Sequence, residues 1–437
     1  MKRKILQSLK AWKHQKKRKP LILMGARQVG KTFVLKRFGE LDYENTVYLN
    51  FEDNPRLCSL FDQSLDPGTI IKTLTIEMNT EISPEKTLLI FDEVQECPNA
   101  LNSLKYFCEN APEYHLVAAG SLLGVKLSHI KGFPVGKVQF LELYPLTFME
   151  YLEAFSQDRL TTFLAEIHTL EPLPTLLHEK LLKYFKEYLF VGGMPEAVAE
   201  YIDSQNLSRV REIQSAILNA YSLDFAKHAP KEQIMKINQV WESVPNQLAK
   251  ENKKFIYSAI RHGARAKEFE MALQWLVEAG LIHKTSNINA PKIPLDAYSD
   301  FSIFKVYLVD VGLIGAMSHL SAKTVIHEND LFQEFKGALV ENYVAQTLSA
   351  NQYRLFYWTS PGKAEVDFVL QENEYIYPLE VKSGTSAKKQ SLRVYDDKYG
   401  PPLLLRASAM NLSKDGKILN CPLYLLDDLQ KLIRIHP

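Results

Sequence analysis

The sequence predicts a multidomain α/β protein, with a helix-covered parallel sheet first, a helical stretch next, and a mixed α/β block last. Three observations predict it. From Pro20 to about Ala154, short apolar runs alternate with helical stretches, the rhythm of parallel strands and their covering helices. From about Phe155 to Pro230 the pattern is almost wholly helical, broken by Gly192-Gly193-Met194-Pro195, which reads as a turn. From about Phe301 strands and helices mix again. At about 150 residues per domain, 437 residues correspond to roughly three domains.

Residues 1–19 form a basic N-terminal helix, in which Ile5, Leu6, Leu9 and Trp12 recur at helical spacing with Lys and Arg on the other face. The first acid of the chain is Glu40. This arm is either a solvated face of a packed helix or a basic contact for nucleic acid. Residues 20–154 form the first α/β core, with expected strands Leu21–Met24, Thr46–Asn50, Leu88–Asp92, His115–Ala119 and Val138–Leu143. Helices are expected over Lys31–Phe38 and Asn99–Asn110. Residues 155–230 are a helical lid. Residues 231–300, short helices ending in Phe269–Ala279 and then a hairpin, have the outline of a winged helix. In residues 301–437 a helix near Leu331–Leu348 precedes strands near Arg354–Trp358, Glu365–Leu370 and Ile376–Lys382. A helix over Ala387–Lys398 and a strand over Pro402–Arg406 complete that block.

Composition narrows the class. Apolar residues are 46% and charged residues 24%, which excludes a disordered chain, a collagen-like fibre and a coiled-coil rod. The charges nearly cancel, at +1, so only their local distribution bears on nucleic acid. No apolar run approaches the roughly 18 residues of a spanning helix, and Leu21–Met24 is too short for a signal-peptide core. A cytoplasmic protein with no membrane segment is expected. Cys58, Cys97, Cys108 and Cys421 make no metal-spaced pair and are expected as free thiols; the histidines form no ligand cluster.

The strongest motif is Gly25-Ala26-Arg27-Gln28-Val29-Gly30-Lys31-Thr32, a G-x-x-x-x-G-K-T between an apolar strand and a helix. Its glycines let the loop wrap, so that backbone N–H groups and the helix N-terminus point at phosphates. Lys31 reaches the β and γ oxygens of ATP, and Thr32 offers a hydroxyl to Mg²⁺. The strand Leu88-Leu89-Ile90-Phe91 then delivers Asp92-Glu93, with Asp92 placed to hold Mg²⁺ and Glu93 to orient the attacking water. Ser121, after the next strand, either senses the γ-phosphate or caps a helix.

A second constellation lies near the C-terminus. Along Pro378-Leu379-Glu380-Val381-Lys382, side chains alternate, so Glu380 and Lys382 share a face. If the strand carrying Asp367 pairs antiparallel, Asp367 and Glu380 converge as a Mg²⁺ site, with Lys382 to position or deprotonate water. Glu341 on the preceding helix would add a third carboxylate. Lys388, Lys389, Gln390 and Arg393 come next, placed to meet a phosphate backbone. The alternative is a half-exposed strand with ordinary salt-bridged charges.

Together these residues resemble a bacterial and archaeal family of AAA-type ATPases. Its C-terminal domain of unknown function is related to the restriction-endonuclease-like PD-(D/E)xK fold. The resemblance rests on Gly25–Thr32, Asp92-Glu93, Gly120-Ser121 and Leu143-Tyr144-Pro145-Leu146-Thr147-Phe148. It extends to Gly193-Met194-Pro195, Lys305–Gly312, Gly337–Asn342 and Glu380–Gly384. It implies ATP at Lys31 and Thr32, Mg²⁺ at Asp92, hydrolysis assisted by Glu93, and Ser121 as sensor. It also implies a nuclease-type site of Glu341, Asp367, Glu380 and Lys382. Gly136-Lys137-Val138 departs from it, with Lys where relatives often carry Arg, so a phosphate-contacting finger at that residue is not expected.

Two functions are expected from these residues. The first is a Mg²⁺-dependent ATPase acting on nucleic acid, with Arg261, Arg265 and Lys267 near the start of the recognition helix. The second is a nucleotide-controlled protein-interaction switch with an inactive nuclease-like domain; oligomers are compatible with both. No second substrate motif supports a nucleotide kinase.

Overall fold

The computed structural model describes residues 1–127, 135–250, 253–327, 333–361, 364–384 and 390–435. The chain divides into two compact units: residues 2–144 with 278–280, and residues 145–277 with 281–437.

The first unit is built on β1 (Leu21–Met24), β2 (Asn45–Asn50), β3 (Thr87–Asp92), β4 (His115–Ala119) and β5 (Gln139–Glu142). All pair in parallel, as the apolar runs predict, and their order is β2-β3-β4-β1-β5. β3 and β4 are buried throughout, which is why they read as continuous apolar runs and not as alternating ones. Helices Lys31–Asp42, Pro67–Glu77 and Pro98–Asn110 belong to the same unit. Phe91 stands edge-on to Phe51, Phe61 and Phe107, with ring centroids 5.4–6.4 Å apart, at the centre of this core. Truncating Phe91 to Ala would cost about 3–5 kcal/mol. The N-terminal helix Ile5–Lys13 buries Leu9 and Trp12, and the Trp12 ring lies 6.4 Å from that of Phe38. It is part of this unit, with its lysines on the outer face.

The second unit begins earlier than the expected boundary at residue 154. Helix Phe148–Ala154 packs inside it, with Phe148 edge-on to Phe185 and Tyr188, and Leu146 N–H donates to Gly193 O at 2.7 Å. Thr147 and Glu150 form a capping box that starts this helix. Helices Thr175–Val191, Pro195–Ser204 and Leu207–His228 supply the expected helical stretch.

Asp310 ties that stretch to helix Val311–Met317. Buried, it accepts from Gly193 N–H at 2.6 Å and caps the Val311 helix through Leu313 N–H at 3.0 Å. A side chain at Gly193 would press on Leu146 O at 2.1 Å, so the turn needs glycine there for close approach.

Eight strands form one mixed sheet: β6 (Ile282–Ile288), β7 (Ser299–Leu308), β8 (Phe356–Thr359), β9 (Glu365–Glu372), β10 (Tyr375–Val381), β11 (Leu404–Ser408), β12 (Ser413–Asp415) and β13 (Ile418–Pro422). Their order is β12-β13-β11-β10-β9-β8-β6-β7. The hairpin expected as a wing is β6 and β7, and β6 also pairs with β8 along its other edge. That hairpin is therefore part of the C-terminal sheet, and the expected boundary at residue 300 falls inside β7. β6 is largely buried, and β8 satisfies the backbone groups that a free wing would leave to water. Among the described residues, no helix is long and apolar enough to cross a membrane.

Candidate functional site

In the first unit, β1 runs into the Gly25–Thr32 loop and the loop into helix Lys31–Asp42. Gly25 has φ +141°, and a Cβ there would lie 2.2 Å from Leu143 O, so no other residue fits. Gly30 is left-handed at the helix N-cap, and Gln28 holds the same region of φ without being glycine. The Lys31 ammonium turns into the loop and donates to Gly25 O and Ala26 O, each at 2.9 Å. Val29 and Ala26 are buried, Arg27 is half-buried and Gln28 is exposed. From behind the loop, the buried Arg3 guanidinium donates to Val29 O at 3.0 Å and Tyr144 O at 2.6 Å. Arg3 went unread because nothing in Lys2-Arg3-Lys4 distinguishes a buried cation from a solvated one.

The parallel sheet brings the second motif to the same end. Asp92 closes β3, and its Oδ2 accepts from Thr32 Oγ1 at 2.6 Å and from the Tyr48 hydroxyl at 2.9 Å. Burial and the neighbouring Asp92 carboxylate push the Tyr48 phenol up, so it stays a donor. Glu93 adopts a left-handed conformation, and its carboxylate accepts from Gln95 Nε2 at 2.5 Å and from Ser121 N–H and Oγ at 3.2 Å each. Ser121, read from the sequence as a γ-phosphate sensor or a helix cap, thus bonds Glu93. Gln95 carried no signal. Lys137 pairs with Glu109 at 2.9 Å.

In the second unit, β9 and β10 pair antiparallel with Phe368 opposite Leu379. Asp367 and Glu380 are thereby neighbours, and Asp367 Oδ2 accepts from Val381 N–H at 2.7 Å. Lys382 lies 2.9 Å from Glu380 Oε1. Glu341 comes from helix Gln333–Ala350, which Asn342 clamps to β7 through both polar groups of Leu308. It enters a different set of contacts: its oxygens pair with Lys253, Lys305 and the Tyr307 hydroxyl, with Lys305 at 3.1 Å. Lys305, fully buried, also lies 2.5 Å from Glu365.

Burial pushes the Lys305 ammonium down, but Glu341, Glu365 and Asp367 outweigh it and raise it, so the cation persists. Burial likewise raises Glu341, and the two lysines outweigh it and hold it low. Asp367 goes the other way, raised by burial and by Glu341. Among the described residues, Glu380 Oε2 is buried without a hydrogen-bond partner, as are Nε and Nη2 of Arg406, the residue beside Glu380 in the β10–β11 register.

Among the described residues, no three His, Cys, Asp or Glu are gathered as a metal site. Lys305 stands between Glu341 and Glu365, and Lys382 pairs with Glu380. Lys253 went unread, and Lys305 and Tyr307 were read only within the Lys305–Gly312 landmark and not as site residues; their signal was a lysine inside the apolar run Ile303-Phe304-Lys305-Val306-Tyr307-Leu308. Arg261, Arg265, Lys267 and Arg393 are exposed, with Arg261 paired to Glu268. Lys388 and Lys389 lie outside the described residues.

Comparison with known proteins agrees with the first unit. Residues 17–152 match an AAA domain model, residues 182–324 a domain of unknown function (DUF8612), and residues 336–425 another (DUF4143). The AAA domain match spans the Gly25–Thr32 loop, Asp92-Glu93 and Ser121. No curated protein matches the chain. Among solved structures, the Walker-type ATPase PABY2304 of Pyrococcus abyssi is 12% identical with TM-score 0.44, covering 72% of this chain and 94% of that one. The Aeropyrum pernix ORC1 protein, solved in complex with DNA, is 13% identical with TM-score 0.26, covering 72% and 90%. AMPPCP-bound DnaA from Aquifex aeolicus is 13% identical with TM-score 0.27, covering 63% and 86%.

Proposed function

We propose that this chain binds and hydrolyses Mg²⁺-ATP in its first unit and acts on nucleic acid through its C-terminal domain. One observation carries the nucleotide reading. Thr32 and Asp92, 60 residues apart in sequence, meet through a 2.6 Å hydrogen bond at the foot of a loop that also holds Lys31. Hydroxyl and carboxylate are the hard oxygen donors that Mg²⁺ takes, so these residues fit the ion. When bound, Mg²⁺ neutralises charge on the phosphates.

The protein's own groups do the rest. Loop N–H groups from Gly25 to Thr32 bind the phosphate oxygens, and Lys31 exchanges its two loop carbonyls for them. Glu93 accepts the hydrogen bond that orients the attacking water. Ser121, already bonded to Glu93, couples that acid to the γ-phosphate. The test is ATP hydrolysis with and without DNA or RNA, by wild type, Lys31→Ala and Glu380→Ala, with gel analysis of the same reactions. Hydrolysis lost in Lys31→Ala and stimulated by nucleic acid in wild type supports the proposal. Hydrolysis indifferent to every nucleic acid moves the reading to a nucleotide-controlled protein-interaction switch. A specific observation favours that second reading: Glu341 is engaged by two lysines and a tyrosine.

A further inference from the structure

The acidic centre of the C-terminal sheet poses a charge problem. Glu341, Glu365, Asp367 and Glu380 lie on neighbouring elements, and Glu341 and Glu380 are almost wholly buried. Four carboxylates at such a place require cations or protons. In a metal-dependent nuclease the compensation is a divalent ion. Here the chain carries its own: Lys253 on Glu341, Lys305 between Glu341 and Glu365, Lys382 on Glu380, and buried Arg406 beside Glu380 in register. Glu341, Glu365 and Glu380 each have a lysine partner.

Mg²⁺ does not fit this arrangement. It demands nearly octahedral oxygen ligation at about 2.0–2.1 Å and keeps several waters. The Lys305 ammonium already lies 3.1 Å from Glu341 and 2.5 Å from Glu365, inside a pocket with no exposure to solvent. A divalent ion at Glu380 would lie beside the Lys382 ammonium, where like charge opposes it.

We infer that Lys305 is the resident cation of this centre, standing where a divalent metal would, so that the C-terminal domain binds its partner without metal-dependent cleavage. The inference deepens the C-terminal half of the proposed function and is independent of the ATPase half. Lys305 holds the helix carrying Glu341 and the strand carrying Glu365 together by charge, the work a metal does in a cage.

The experiment is Mn²⁺ binding, read by electron paramagnetic resonance on the full chain without nucleotide. An Asp92→Asn background removes the carboxylate proposed for the ATPase metal. With Lys305 intact, we expect no stoichiometric Mn²⁺ and a melting temperature equal in Mn²⁺ and in chelator. Lys305→Met in the same background should melt lower in chelator, take up one Mn²⁺ per chain, regain stability with it, and lose it again with Glu341→Gln. One Mn²⁺ bound to the Lys305-bearing chain and lost on Glu341→Gln or Asp367→Asn overturns the inference. A folded Lys305→Met that binds no Mn²⁺ overturns it as well. Should Lys305→Met fail to fold, the Lys305-bearing chain decides the matter. Loss of ATP hydrolysis in Lys31→Ala reports on the nucleotide reading separately.

Discussion

The two charged centres of this molecule are built in opposite ways. In the first unit, one contiguous loop of eight residues and the ends of two strands supply the groups, and Lys31 makes bonds to loop carbonyls that a phosphate can replace. In the second, Lys253, Lys305, Tyr307, Glu341 and Glu365 come from two strands, a helix and a connecting segment, and each cation is matched to an acid. The first is arranged for an anion to arrive and leave. The second is closed on itself. A lysine bonded to backbone carbonyls gives them up at little cost, whereas a buried lysine between two carboxylates does not.

The largest expected effects separate these roles. Lys31→Ala should reduce ATP hydrolysis by about 10²–10³-fold, the usual result of removing one preorganised charge from a transition state. Phosphate release measures it, and the thermal stability of the chain should barely change. Lys305→Met should do the reverse. It leaves Glu341 and Glu365 without their shared cation, at about 3–5 kcal/mol, read by chemical denaturation. Comparable stability losses from the two substitutions would erase the distinction between them.

The same contrast explains what could be read in the sequence. The phosphate loop was legible because its chemistry is local: Gly25, Gly30, Lys31 and Thr32 stand at fixed spacing after an apolar strand. Asp92 was legible because parallel strands deliver their C-terminal ends to one edge. Asp367 and Glu380 were legible as neighbours, since β9 and β10 are joined by a short turn. Their surroundings were not. β6 pairs with β8 across a long stretch of chain, so a hairpin that reads locally as a wing becomes one end of an eight-stranded sheet. Lys305 reads as one lysine in a strand until the helix bearing Glu341 is placed against it. Arg3 is hidden for a related reason, since a run of basic residues does not reveal which one turns inward.

A smaller effect tests whether the second unit is fixed by buried charge elsewhere too. Asp310 has both oxygens engaged, by Gly193 N–H, Leu313 N–H and, at 3.5 Å, Gln346. Burial raises its carboxyl to about 6 in spite of these bonds. Asp310→Asn keeps the shape but turns one acceptor into a donor facing an N–H group, at about 2 kcal/mol. Urea unfolding should register that loss while nucleotide affinity stays unchanged. An Asp310→Asn chain as stable as wild type would mean that the Gly192-Gly193 turn is held by packing and not by this carboxylate.

The smallest effect lies in the first unit and concerns pH. His115 opens β4, its ring edge-on to Trp12 and Tyr43, with Nδ1 2.7 Å from the Tyr43 hydroxyl. Burial first, then Arg18 and Lys13, pushes its pKa down to about 3. The folded chain therefore binds fewer protons than the unfolded chain from about pH 6.5 down to about 3, so stability is full above that window and falls as pH falls through it. At pH 5.5 the loss is about 1 kcal/mol. His115→Asn can still meet Tyr43 but does not titrate, so its melting temperature should fall less between pH 7 and 5.5 than that of wild type. Parallel pH profiles would assign the acid sensitivity to other groups, and the packing of the basic N-terminal helix onto β4 would then carry no titrating element.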